Sequence, residues 1–114
     1  MDINAQLFDF IEKSPSPFHA VDTVCRRLDQ AGFVRLQEGR SWQLQPGGKY
    51  YVTRNRSSVV AFAMPVGEWG GFLLTSSHSD CPTFKVKPGA ELEAAGLYTM
   101  LDTEGYGGML CSTW

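Results

Sequence analysis

A histidine and an aspartate two residues apart, His78 and Asp80, follow the apolar run Phe72-Leu73-Leu74-Thr75 in this chain of 114 residues. If the backbone stays extended through Ser79, the two side chains fall on one side, because side chains in extended chain repeat every second residue. A neutral imidazole can then give one nitrogen to a divalent metal while the carboxylate holds the other, fixing the tautomer and raising ligand basicity. The spacing alone carries little specificity, since a given histidine has an aspartate two residues onward about one time in twenty at ordinary composition. The competing reading is structural, with His78 a satisfied strand-end histidine and Asp80 a turn former or helix cap before Cys81-Pro82.

The elements around this pair read as an α/β arrangement. Phe72 to Thr75 shows no polar alternation and follows Gly70-Gly71, which predicts a short strand buried on both faces. His78 would then lie at the strand's C-terminal end, where ligands bind in open α/β sheets. Upstream, Ile3, Leu7, Phe10 and Ile11 form a helical apolar stripe that Ser14-Pro15 ends. A second helix starts with Ser16 as N-cap and Pro17 at its first position, carries Ala20, Val21, Val24, Cys25, Leu28 and Ala31 on its buried stripe, and stops at Gly32. His19 lies off that stripe, facing solvent or lining a neighbouring site. Phe33 to Leu36 is a short strand candidate. Lys49 to Arg54 and Val59 to Met64 read as an antiparallel hairpin with a four-residue loop. Trp69, between glycines, reads as a binding aromatic or, in the favoured reading, as a loop tryptophan that covers the sheet. Beyond Pro82, Thr83 to Pro88 alternates with Lys85 and Lys87 on one side, either drawing an acidic substrate or forming a solvated face. Gly89 to Gly96 reads as loop or a single helical turn, and Leu97 to Leu101 as a short strand. The stretch Glu104 to Leu110 is glycine-rich but has neither a phosphate-loop lysine nor G-x-G-x-x-G spacing.

Composition narrows the partners. A formal charge of -2 without Lys or Arg runs argues against a nucleic-acid or anionic-membrane surface and leaves a small molecule, a peptide or another copy. Three widely spaced cysteines, Cys25, Cys81 and Cys111, support neither a disulfide framework nor a zinc knuckle. The N-terminus has no signal-peptide pattern, and a cytoplasmic location is the expectation.

Taken together and in order, several segments resemble the M18 family of zinc metalloaminopeptidases, the aspartyl aminopeptidases. They are Phe8 to Ile11 with Ser14 to Ala20, Gly48 to Asn55, Ser77 to Pro82 with Lys85 to Pro88, and Glu104 to Gly108. The resemblance implies two helices followed by part of the mixed sheet of a phosphorylase/hydrolase-like zinc-peptidase domain. Residues 1–88 would belong to the catalytic domain and 89–114 would open an inserted β-rich domain. It also implies that His78 is a zinc ligand of a two-metal site and Asp80 the catalytic-centre carboxylate that orients it. The family usually has threonine where Ser79 stands and serine where Cys81 stands, so Cys81 would put a soft thiol beside the metal.

The implied reaction is removal of N-terminal residues, preferably Asp or Glu, from peptides, by a protein expected to be a homo-oligomer. Such a site needs a bridging carboxylate, further ligands and a general base, none of which the resemblance assigns to these residues. The expectation is therefore an N-terminal fragment that is inactive alone. The rival reading is a non-catalytic module acting by self-association or by pairing with a full-length relative.

Overall fold

The computed structural model describes residues 2–108. The chain divides between Asp80 and Cys81 into two compact units, each built from its own local logic.

In the first unit, α1 (Ile3–Glu12) is capped by Asp2, whose carboxylate accepts from the Asn4 amide. Asp9 and Lys13 pair one turn apart at 2.6 Å. The apolar stripe expected for this helix is present but uncovered, with Ile3 72%, Leu7 53% and Ile11 57% exposed. What ties α1 down is Arg27, which donates to the Gln6 carbonyl at 3.2 Å and lies 5.1 Å from the Phe10 ring centroid. Helix α2 (Pro17–Gln30) starts as expected, with Ser16 as N-cap and Pro17 in the first turn. It ends in a paired closure, Gly32 N–H to Asp29 C=O and Phe33 N–H to Leu28 C=O, both 3.0 Å. That closure requires the left-handed φ of 79° that Gly32 adopts without strain. Ala20, Val21 and Thr23 are its buried residues. Cys25, expected in the core, is only half-buried, yet burial still pushes its thiol up from its usual range.

Three strands form a mixed sheet in the order β1-β2-β3. β1 (Val34–Arg35) runs parallel to β2 (Lys49–Arg54), which pairs antiparallel with β3 (Ser58–Ala63). The β2–β3 loop holds three residues rather than four, because Ser58 already pairs with Arg54. Asn55 and Arg56 both take positive φ, 51° and 59°, the conformation whose twist suits a tight hairpin. Alternation along β2 sends its two tyrosines to opposite faces. Tyr50 packs with Phe62 at 5.7 Å between centroids, and Trp42 stacks on the same Phe62 at 6.2 Å. Tyr51, 2% exposed, donates its hydroxyl to Asp29 Oδ1 at 2.8 Å and so joins the sheet to α2.

The expected strand at Phe72–Thr75 does not form. Residues 64–82 carry no strand assignment, and Phe72, Leu73 and Leu74 are 78%, 97% and 85% exposed. A doubly buried strand needs a hydrogen-bonding neighbour and a cover on each face. Among the described residues this run is given neither. Trp69 packs edge-on against Phe72, 4.5 Å between centroids, and is 51% exposed.

The second unit is a long hairpin of β4 (Thr83–Ala94) and β5 (Tyr98–Tyr106). Gly89 to Gly96 was expected to be loop or helical turn, but the strand runs on to Ala94. The breaker residues Pro88 and Gly89 sit in a register shift between Val86 and Glu91, where a strand tolerates them. The reversal lies at Ala95 and Gly96, both with positive φ, and β5 outruns the expected Leu97–Leu101 strand. Lys85 sits over the Tyr106 ring at 3.8 Å and Lys87 bonds Asp102 at 3.0 Å, so both lysines are engaged within the hairpin. The expected Cys111 thiol and the last residues of the glycine-rich stretch lie outside the described residues. No described helix is long and apolar enough to cross a membrane.

Burial, followed by the hydrogen bond to Asp29 and its charge, raises the Tyr51 phenol from 10.0 to about 12. The unfolded phenol ionises first, so this group's stabilising share is whole below pH 10.0 and is lost as pH climbs to about 12. Tyr51→Phe is expected to lower stability by about 1 kcal/mol at neutral pH, through the lost buried hydrogen bond. In thermal melts the variant should also show a shallower alkaline fall than the parent; parallel curves would contradict the assignment.

Candidate metal centre

The segment His78–Asp80 follows the uncovered apolar run and takes its placement from the β2–β3 hairpin. At the end of β2, Arg54 donates through Nε to Glu38 Oε1 at 2.8 Å, with Nη2 on the same oxygen. That hydrogen bond and the guanidinium charge hold the Glu38 carboxyl below its usual range. The next three residues make the tight turn, closed by Ser57 N–H to the Arg54 carbonyl at 3.2 Å. Ser79 then donates its hydroxyl to the Ser57 carbonyl at 3.0 Å, which pins the segment to the turn.

His78 and Asp80 are brought together as the spacing implied. His78 Nδ1 lies 2.8 Å from the Asp80 carbonyl oxygen and 3.3 Å from Asp80 Oδ1. Both partners are acceptors, so this contact is satisfied by an imidazole with its proton on Nδ1. Nε2 then keeps its lone pair for a ligand, which is the chemistry of a metal-binding histidine whose other nitrogen is held by oxygen. The His78 side chain is 79% exposed, against 35% for Asp80. A histidine serving only the fold would be expected to lie deeper.

The other candidates are elsewhere. His19 sits in the first turn of α2 with Nδ1 2.7 Å from Ser16 Oγ, so it serves the helix cap. No group of three His, Cys, Asp or Glu side chains that could hold a metal occurs among the described residues. The donor set therefore fits one oriented zinc ligand and its orienting oxygens, and not a whole coordination sphere. The Ser79–Ser57 link was not legible in the sequence, because its partner is 22 residues away and is a backbone carbonyl that any residue type could supply.

Residues 10–114 match the family model of aminopeptidase I zinc metalloproteases (M18). The chain is 45% identical over 111 residues to “Probable M18 family aminopeptidase 2” of Clostridium novyi (strain NT), covering 96% of this chain and 26% of that protein. It is 43% identical over 116 residues to the protein of the same name from Pseudomonas fluorescens (strain SBW25), covering 98% and 26%. The chain thus spans about a quarter of the length of these curated relatives. Among solved structures, mApe1 of Chaetomium thermophilum aligns with a TM-score of 0.86 at 35% identity, over 96% of this chain and 26% of that one. Yeast aminopeptidase 1 aligns with a TM-score of 0.76 at 31% identity, over 96% and 26%.

Helices followed by a mixed sheet, with the neighbours they match, make this an α/β portion of a zinc-metallopeptidase fold. The chain belongs to the M18 aminopeptidase family.

Because His78 is mostly exposed and bonds only within its own tripeptide in the contacts above, His78→Ala is expected to change stability by less than about 0.5 kcal/mol. A thermal or urea melt checks this. A loss of 2 kcal/mol or more, on the order of a buried-network defect, would instead make the histidine structural.

Proposed function

We propose that this chain contributes one side of a two-zinc aminopeptidase centre, with His78 as a zinc ligand and Asp80 as the residue that orients it. The observation that carries the reading is the His78 ring, bonded to Asp80 through Nδ1 and open to solvent at its far side. Zinc in such a centre supplies Lewis-acid polarisation of a peptide carbonyl. The chain's own residues hold the Nε2 lone pair in place, keep the proton on Nδ1 and anchor the loop through Ser79. The substrate class we infer is a peptide with an acidic N-terminal residue, following the family resemblance. Residues 1–88 are assigned to the catalytic domain and 89–114 to the opening of an inserted one, although the packing changes earlier, after Asp80.

Alone, the chain is proposed to be inactive, since one histidine and one aspartate give too few donors for a co-catalytic pair. The purified chain is expected to show no turnover of aspartyl or glutamyl chromogenic amides with zinc, manganese or cobalt. A chimera that replaces the matching segment of the Clostridium novyi relative should hydrolyse them in a metal-dependent way and lose at least 100-fold in His78→Ala, on the order expected for a lost metal ligand. Activity of the chimera that is indifferent to His78 would remove the ligand assignment.

The partner we propose is a second copy of the chain. A solved yeast relative is described as a dodecamer, and here Phe72, Leu73 and Leu74 are exposed in a stretch without Asp, Glu, Lys or Arg from Trp69 to Ser79. Light scattering at micromolar concentration is expected to give a mass above the monomer, and a clean monomer would exclude self-association.

A further inference from the structure

The tripeptide His78-Ser79-Asp80 has two kinds of contact. His78 and Asp80 bond each other, at 2.8 Å to the carbonyl and 3.3 Å to the carboxylate. Ser79, between them, bonds outward at 3.0 Å to the carbonyl of Ser57, 22 residues earlier. Ser79 thus bonds away from the tripeptide while its two neighbours bond each other. It matters because residues 64–82 have no strand ladder to hold them. A segment without a ladder samples many backbone conformations, and each residue fixed costs about 1–2 kcal/mol of conformational entropy. The Ser57 carbonyl is a firm anchor by comparison. It sits in a closed three-residue turn at the end of a six-residue strand, with Asn55 and Arg56 held at positive φ.

We propose that Ser79 is a positioning residue for the ligand pair, fixing the loop on the hairpin so that the His78 ring is held on Asp80. The inference rests on His78 being the metal ligand, but its consequence for the loop can be read without metal. Ser79 touches neither substrate nor metal in this scheme. Its hydroxyl acts by limiting where the next and previous side chains can go. Threonine carries the same hydroxyl and should substitute, whereas alanine removes the link to the Ser57 carbonyl.

The test uses the 114-residue chain with nitrogen-15 in its histidine rings, at about pH 8. Ring nitrogen shifts report the fraction of His78 with its proton on Nδ1, backbone amide exchange reports the freedom of residues 78–80, and zinc titration reports affinity at His78. His19, bonded to Ser16 in another element, is the internal control. Ser79→Ala is expected to lower the Nδ1–H fraction, speed exchange and weaken zinc about threefold to tenfold, at or below the lower end of the loss caused by removing a ligand's direct partner. Ser79→Thr should keep all three near the parent, and His19 should not change. An alanine variant indistinguishable from the parent in ring tautomer and exchange would overturn the proposal, as would a threonine variant that behaves like alanine. If zinc shows no preference for His78 over His19 in the parent, the metal reading fails. The tautomer and exchange results would still decide whether Ser79 positions the loop.

Discussion

The hydroxyl of Tyr51, buried and donating to Asp29 Oδ1 at 2.8 Å, is the link on which the first unit depends. It fixes the central strand β2 to the C-terminal turn of α2, and β2 in turn carries both its neighbours. A buried phenol is costly to leave without a partner, so this one bond also selects the register that points Tyr51, and not Tyr50, at the helix. From there order passes along β2 to its end, where Arg54 is held by Glu38, and into the tight turn. The turn presents the Ser57 carbonyl to Ser79, and Ser79 stands between His78 and Asp80. A chain of four short-range interactions thus connects the core to a histidine that is itself mostly in solvent.

Local signals with a defined stereochemistry were legible in the sequence. Ser16-Pro17 opens α2 and Gly32 closes it because capping is decided by the residues at the cap. The aromatic and β-branched runs from Lys49 and Ser58 pair as a hairpin because their partners lie next to them. The signals that failed depend on distant partners. Phe72 to Thr75 has the composition of a buried strand, but burial is supplied by neighbours, and composition cannot supply them. Pro88, Gly89 and the nearby alanines read as a break because propensity is local, whereas β5 offers a complete ladder on either side of one irregularity. The contact of His78 with the Asp80 carboxylate was legible, since it spans two residues, whereas the shorter bond to the Asp80 carbonyl was not. Nor was the anchor through Ser79.

The same distinction bears on the uncovered apolar surfaces and on the absence, among the described residues, of three clustered metal donors. Relatives of this chain are about four times its length, and a metal centre built from several strands draws its ligands from across a sheet. The helix stripe at Ile3, Leu7 and Ile11 and the run at Phe72 to Leu74 are apolar surfaces of the kind that other elements cover. The orientation of the His78 ring is set locally, by Asp80 and by the link from Ser79 to the β2–β3 turn. An oriented donor loses less freedom when it binds, which favours building a centre from preformed parts.

The most direct measurement is zinc X-ray absorption on the zinc-loaded chain beside its His78→Ala variant. An imidazole in a nitrogen and oxygen shell, with Zn–N at about 2.0–2.1 Å and lost in the variant, is the expected result. A sulfur shell at about 2.3 Å, or a spectrum unchanged by the substitution, would contradict the assignment of His78 as the ligand and shift attention to a cysteine.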